Sequence, residues 1–169
     1  MKLILVAAID DERGIGRDGD LAWHHSADMR SFRETTLRGW LIMGRATWQS
    51  IGRPLPGRQI IVLSRSEMDL PASVFSSASL EKAIDIVRTA GADEAYICGG
   101  SVLYDAAIGI GDVLVLTRIP GTHGCDRFFP DWADHGYVFH SEEEIGDGLR
   151  RQLWRRDHAV RSTAAGTSK

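Results

Sequence analysis

Cysteine is nearly missing: Cys98 and Cys125 are the only two in 169 residues, too few for the disulfide framework of a small secreted domain. A chain of this length has no need of one, since it can bury roughly 70% of its unfolded surface in a core. Positive charge is not in excess either. Twenty Lys and Arg stand against 23 Asp and Glu, a net charge of -3, so the overall field repels polyanions and argues against broad nucleic-acid binding. No apolar run approaches the ~20 residues of a membrane span. The most apolar N-terminal stretch, Leu3 to Ile9, stops at Asp10-Asp11-Glu12, where a secretory leader needs small neutral residues. No Gly-Lys-Ser/Thr occurs, and the glycine turn Cys98-Gly99-Gly100-Ser101 is neither a P-loop nor a complete G-x-G-x-x-G, which argues against nucleotide triphosphate hydrolysis. These absences point to the reducing cytoplasm, with no membrane or nucleic-acid partner. Nothing in the pattern invites association, so a monomer is expected.

With 43% apolar and 25% charged residues, the composition is that of one domain. No repeat or linker divides it: residues 1–160 read as the domain, and 161–169, RSTAAGTSK, as a flexible C-terminal tail. Leu3 to Ile9 is continuous and β-rich, the mark of a strand buried on both faces. Short apolar runs recur at Trp40–Met43, Gln59–Leu63, Ala95–Cys98 and Val113–Thr117. Helical patterns lie between them at Ala27–Leu37, Ala46–Ile51, Leu80–Thr89 and Ser101–Ala107, with Ser26 and Ser79 placed as N-caps. Strands alternating with helices predict an α/β fold with a mostly parallel central sheet flanked by helices. Tyr137–Ile145 and Leu149–His158 flank Gly146-Asp147-Gly148, predicting a C-terminal antiparallel hairpin whose glutamate arm faces an arginine arm.

Ligands of such sheets sit at the carboxyl ends of the strands, and the chemistry collects there. The first strand empties into DDERGIGRDGDLAWHH, sixteen residues expected to form a lid without secondary structure. Asp28 follows in the first turn of a helix, four residues before Phe32 and next to Met29. An acid there ordinarily complements the helix dipole; sunk among apolar groups, it instead seeks a cationic heterocycle offering two N–H donors. Gly44-Arg45-Ala46-Thr47 and Ser64-Arg65-Ser66 each set a guanidinium and a hydroxyl at a strand end, a pattern suited to phosphate. Cys98-Gly99-Gly100-Ser101 supplies a third turn open to backbone contact. Arg53-Pro54-Leu55-Pro56-Gly57-Arg58 is either a rigid surface turn or a stiff mount for an arginine that clamps a carboxylate.

The ordered set Ile15-Gly16, Leu21-Ala22-Trp23, Ala27-Asp28-Met29, the run from Met43 to Arg58, Gly99-Gly100, Tyr104 and Phe129-Pro130-Asp131 resembles the dihydrofolate reductases over nearly the whole chain. The resemblance implies their single-domain fold and NADPH-dependent reduction of 7,8-dihydrofolate to tetrahydrofolate, with antifolates as inhibitors. It implies Asp28 and Thr117 on the pterin's amino-pyrimidine edge, and Val6, Ala7, Ala8, Met29, Phe32, Ile51, Leu55, Cys98 and Tyr104 around the substrate. Arg58, with Arg53 beside it, takes the glutamate tail. Leu21 and Trp23 are implied near the water that protonates N5.

For the cofactor the resemblance implies Ala8, Ile15, Gly16, Gly44, Arg45, Ala46, Thr47, Leu63, Ser64 and Arg65, with Ser64 and Arg65 at the 2′-phosphate. Cys98, a cis Gly99–Gly100 peptide, Ser101, Val102, Leu103 and Tyr104 complete that set. Gly124-Cys125-Asp126 resembles the loop that braces the lid. Ala22 stands where the family usually has Pro, and Ala46 and Val102 remove possible phosphate contacts. His24-His25 reads as exposed loop histidines, since no further ligand completes a metal site. The rival readings are a pyrimidine reductase of riboflavin synthesis, which lacks the Asp28 with Thr117 pairing and the Arg58 clamp, and a catalytically silent nucleotide-binding module.

Overall fold

A computed structural model describes residues 1–157. The expected tail at 161–169 and the last residue of the expected hairpin, His158, lie outside the described residues. Ten strands and four helices follow one another: β1 (Lys2–Ile9), β2 (Gly14–Gly16), α1 (Ser26–Thr36), β3 (Trp40–Gly44), α2 (Arg45–Ile51), β4 (Gln59–Leu63), β5 (Val74–Ser77), α3 (Leu80–Thr89), β6 (Glu94–Ile97), α4 (Ser101–Ile108), β7 (Val113–Arg118), β8 (Arg127–Phe128), β9 (Tyr137–Gly146) and β10 (Leu149–Arg156), with a short 3-10 turn at Ala133–His135.

Eight strands form one sheet in the order β5-β4-β3-β6-β1-β7-β10-β9. Its pairs are parallel except where β10 meets β7 and β9. The expected α/β architecture is therefore present, including the antiparallel hairpin at one edge.

The alternation of β1 divides the core in two. Leu3, Leu5, Ala7 and Ile9 pack on one face with residues of α3 and α4, among them Ala83, Val87, Leu103 and Ile108. Ile4 and Val6 point the other way, into a layer with Leu41, Met43, Ile60 and Val62 that Phe32 of α1 and Trp48 of α2 cover. A strand sandwiched in this manner must be apolar at every position, which is why Leu3 to Ile9 reads as an unbroken run.

Two local expectations need correction. Ser26 is the first residue of α1, and His25 occupies the N-cap position without a side-chain cap bond. Ser79 does cap α3, accepting the Lys82 N–H. The stretch after β1 is not devoid of secondary structure, because β2 pairs with β8 and Arg17 bridges to Asp20. Strand β5 is a polar edge strand, buried only at Val74 and Ser77, so it carries little apolar signal.

In the hairpin, Arg150 pairs with Glu142 at 2.7 Å and Arg151 with Glu143, as the opposed charges imply. Arg156 differs. It is buried, donates to the carbonyls of Ile108 and Gly109, and lies 4.7 Å from the Tyr137 ring centroid.

Candidate active site

The sheet order sets β6 between β1 and β3, so three strand ends open side by side. The Gly44 N–H donates to the Gly99 carbonyl at 2.7 Å, and the buried Tyr104 hydroxyl donates to the Val6 carbonyl at 2.6 Å. These bonds tie the end of β3 to the turn after β6, and α4 to β1. The Gly99–Gly100 peptide is cis, as the family resemblance implies. A Cβ at Gly99 would stand 3.3 Å from both Thr47 Oγ1 and the Tyr104 hydroxyl, on a backbone with φ of +102°. Only glycine fits that turn without displacing its neighbours. Burial raises the Tyr104 pKa well above its ordinary value, keeping the group a neutral donor.

Asp28 projects from the first turn of α1 and is 9% exposed. Beside it stands Thr117, at the end of β7 opposite Ala8 of β1, its hydroxyl near enough to favour the charged carboxylate. Burial raises the Asp28 pKa above its ordinary value, while the Thr117 hydroxyl and the nearby His25 pull it back. The net is an acid held in a low-dielectric wall and short of donors, the condition under which a cationic ligand edge is gripped hardest.

Around it, Val6 and Cys98 are buried in one apolar cluster against which Phe32, Ile51 and Leu55 pack. Ala8 instead joins Trp23, Ala27 and Ile119. Burial pushes the Cys98 thiol up, and its S–H points to the Tyr96 carbonyl at 3.6 Å, so it packs as a small apolar group. Met29 is 56% exposed and Leu21 40%. Trp23 is buried and its Nε1 has no partner among the described residues. An unpaired buried N–H costs about 1–3 kcal/mol, which marks a group awaiting an acceptor.

At the ends of β3 and β4, Arg45 Nη1 donates to Ser66 Oγ at 2.9 Å. Ser64 Oγ donates to the Ser66 carbonyl at 2.8 Å, with exposed Arg65 between the two serines. Thr47 reaches the diglycine turn from α2. Ala46 and Val102 are exposed, Leu63 and Ser101 half-buried, and Leu103 is buried in the core. The chemistry is that of a phosphate cradle: two guanidinium groups, several hydroxyls and a turn without side chains.

Arg58 is half-buried, its Nε donating to the Pro56 carbonyl at 3.2 Å and its Nη1 to Thr36 Oγ1 at 3.4 Å. Among the described residues no carboxylate pairs with it. Burial, with Arg33 nearby, lowers its pKa from the ordinary arginine value. Arg53 is exposed on the same stiff turn.

The segment over the cleft is braced from behind. Asp10 is fully buried and accepts the N–H groups of Gly14 at 2.7 Å, Glu12 at 3.0 Å and His123 at 3.0 Å; the Cys125 thiol points to it at 3.6 Å. Asp126 donates its N–H to the Gly16 carbonyl at 3.0 Å and accepts the Asp18 N–H at 3.1 Å. Ile15 is half-buried between these anchors. His123 meets the Trp23 ring edge-on at 5.3 Å, and Ser50 of α2 donates to Asp20 at 3.0 Å. Cys125 and Asp126 therefore do support the loop as expected, and a Cβ at Gly124 would stand 3.5 Å from Arg17.

Asp10 and His123 escape a residue-by-residue reading. Asp10 gives a signal only as an acid directly after a wholly buried strand, and His123 gives none.

The dihydrofolate reductase family model matches residues 2–154. "Dihydrofolate reductase HdrB" of Haloferax volcanii is 35% identical over 157 residues, covering 88% of this chain and 80% of its own length. "Dihydrofolate reductase type 3" of Salmonella typhimurium is 39% identical over 137 residues, covering 81% and 83%. Among solved structures, the dihydrofolate reductase of Enterococcus faecalis complexed with NADP(H) and RAB-propyl superposes with a TM-score of 0.80 at 30% identity, over 92% of this chain and 96% of that one.

Proposed function

The chain belongs to the dihydrofolate reductase family, and from that premise we propose which of its side chains carry the reaction. It reduces 7,8-dihydrofolate to 5,6,7,8-tetrahydrofolate with NADPH. The observation that carries the residue assignment is Asp28, a carboxylate buried in the first turn of α1 with the Thr117 hydroxyl beside it favouring its charged form. A buried acid with spare acceptor sites matches the two N–H donors of an amino-pyrimidine edge.

The donor set fits NADPH. Arg45, Ser64, Arg65 and Ser66 meet the phosphates, with Ser64 and Arg65 at the 2′-phosphate. Thr47 and the backbone of Gly44, Gly99, Gly100 and Ser101 receive the pyrophosphate and ribose. Ile15, Gly16, Ala46, Leu63, Val102 and Leu103 border this half of the cleft, and Ala8, Cys98 and Tyr104 border the nicotinamide. When bound, the cofactor supplies a hydride from C4 of its nicotinamide to C6 of the pterin.

The protein's own part is to seat, orient and dry the reactants. Asp28 and Thr117 fix the pterin in rotation. Val6, Ala8, Met29, Phe32, Ile51, Leu55, Cys98 and Tyr104 exclude solvent from its faces, whereas the Ala7 side chain packs with Leu5 and Ile9 on the other face of β1 and leaves only its backbone for the ligand. Arg58, with Arg53, holds the glutamate carboxylate at the far end. Leu21 and Trp23 admit the water that protonates N5; the unpartnered Trp23 Nε1 is suited to orient it, and the Asp28 carboxylate raises the basicity of N5 through its field. The same cleft takes small-molecule antifolates.

We propose further that residues 1–160 form the reductase domain, and that the chain acts as a monomer in the cytoplasm. Two free thiols support a reducing setting, and Glu142, Glu143 and Glu144 on edge strand β9 oppose pairing of that edge with a second copy. The test is steady-state consumption of NADPH and of NADH with dihydrofolate. NADPH is oxidised far faster, and loss of that reaction in Asp28→Asn with cofactor binding retained completes the assignment. Binding of NADPH without turnover of any pterin overturns it.

A further inference from the structure

Helix α1 carries Asp28 in its first turn but has no cap of its own. His25, at the N-cap position, makes no side-chain bond to the first-turn amides. The missing acceptor comes from the C-terminal hairpin. Asp147 Oδ2 accepts the Ala27 N–H at 2.9 Å and the Ser26 hydroxyl at 3.2 Å, across 120 and 121 residues of sequence. The turn is built to aim it: Gly146, Asp147 and Gly148 have φ of +99°, +56° and +71°, a left-handed run in which Asp and Asn are tolerated and most residues are not. A Cβ at Gly146 would stand 3.6 Å from the Ala27 Cβ and 3.7 Å from Arg30 Nη2, so the turn lies against the helix. The Ala27 N–H holds the Asp147 carboxyl below its ordinary range, with the Ser26 hydroxyl, Arg30 and His25 acting in the same direction.

The same ladder also holds the partner of Asp28. Four residues after Asp147, Arg151 sits opposite Thr117 in the β10–β7 pairing. Its guanidinium donates to Ser31 Oγ at 3.2 Å and Thr35 Oγ1 at 3.3 Å. Helix α1 is thus fastened to the hairpin on both sides of Asp28, at Ala27 by the turn and at Ser31 by β10, and β10 is paired with the strand bearing Thr117. A first turn with unsatisfied N–H groups frays, and fraying here moves the one carboxylate whose placement the reaction requires.

We propose that Asp147 is a positioning residue for the reduction: it caps α1 from the hairpin turn and thereby keeps Asp28 in register with Thr117. The inference rests on the reading of Asp28 as the group that grips the pterin. It assigns the hairpin turn, which lies against the start of α1, a share in the reaction.

The test compares three variants of the full chain with wild type and with Asp28→Asn. Asp147→Gly removes the carboxylate while accepting the positive φ. Asp147→Asn retains both the turn conformation and an acceptor, and separates the cap from the charge. Asp147→Gly combined with His25→Ser supplies a cap from the helix's own N-cap position, with His25→Ser alone as its reference. Single-turnover hydride transfer is followed across pH, together with NADPH affinity and melting temperature.

Asp147→Gly lowers kcat/KM for dihydrofolate about fivefold and leaves NADPH affinity unchanged. It also moves the acid-side inflection of the pH profile upward, because Asp28 loses a hydrogen bond that favours its charged form. Asn and the serine cap each restore both readouts. Asp147→Gly with wild-type kinetics, or with a loss that neither rescue reverses and an unmoved pH profile, overturns the proposal. If Asp28→Asn itself transfers hydride normally, the reading of Asp28 fails, and this inference fails with it.

Discussion

Replacing Asp28 by Asn separates what the site needs from what the fold prefers, and the two move in opposite directions. In the ligand-free protein the carboxylate is buried with one hydroxyl donor, Thr117, and the field of His25 in its favour. Asparagine has nearly the same shape, keeps an acceptor for Thr117 and carries no charge to desolvate. Relief of that penalty is about 1–2 kcal/mol. For a domain of this size each kcal/mol moves Tm by about 2–4 °C, so the ligand-free variant melts roughly 2–8 °C higher than wild type near neutral pH.

The pH dependence fixes the sign independently. Unfolded, Asp28 titrates at its ordinary 3.8, and folded it titrates higher. Between those values the native state keeps a proton the unfolded state has released, so wild-type stability falls as pH rises through that window. The two proteins therefore converge below pH 3.8 and separate as pH increases through the folded-state value. Activity runs the other way. A preorganised charged acceptor in a dry site is worth about 3–4 kcal/mol to the transition state, so hydride transfer at pH 7 drops about 10²- to 10³-fold. NADPH affinity, measured by fluorescence quenching, stays within about twofold. Calorimetry and stopped-flow absorbance on the same preparations give both quantities. A variant that melts lower than wild type, or that loses cofactor affinity in parallel with rate, refutes the reasoning.

Other substitutions test other parts of the site. Arg58→Leu removes a charged clamp distant from the reacting atoms, so KM for dihydrofolate rises about 30- to 100-fold in steady-state assays while kcat changes little. Arg65→Ser weakens NADPH binding about tenfold or more and leaves NADH kinetics unchanged, since only the former carries the 2′-phosphate; parallel titrations with both cofactors check this. Asp10→Ala leaves the N–H groups of Glu12, Gly14 and His123 without their acceptor and costs about 3 kcal/mol in urea unfolding. For Asp10, burial raises the pKa but the Gly14, His123 and Glu12 N–H groups outweigh it, leaving the value below 3.8. Its stabilisation is therefore complete above pH 3.8 and is lost as pH falls through the lower folded value; Asp10→Asn lacks that acid-side loss.

How much of this was legible from the residues depended on whether the information was local. The sandwiched strand β1 announces itself because both of its faces must be apolar, and Leu3 to Ile9 supplies a hydrophobic residue at every place. The four helices carry their own periodicity, and Ser79 carries its own cap. Strand β5 fails that criterion: at a sheet edge, with Phe75 and Ser76 exposed, its pattern Val-Phe-Ser-Ser looks no different from a turn. Strands β2 and β8 are worse, since three and two residues become strand only by finding each other across more than a hundred positions. A lid described as unstructured is therefore what local propensity implies for Asp10 to His25, and long-range pairing is what overrides it.

The site divides along the same line. Arg45, Ser64, Arg65 and the diglycine turn are legible because each belongs to a strand end, and strand ends in a parallel sheet face the ligand whatever the rest of the fold does. Asp28 is legible only in part: its neighbours Met29 and Phe32 suggest an apolar setting, but an acid in a first turn has an ordinary electrostatic role to play at an uncapped helix start. In the proposed reading, what turns it from a dipole complement into a binding group is Thr117, almost ninety residues later, and the fact that Asp147 already answers the helix's open amide. With capping taken over by the hairpin, the first-turn carboxylate is released from that duty and faces the cleft with acceptor sites to spare. The functional meaning of Asp28 thus lies less in its own surroundings in sequence than in a second acid that takes its usual place.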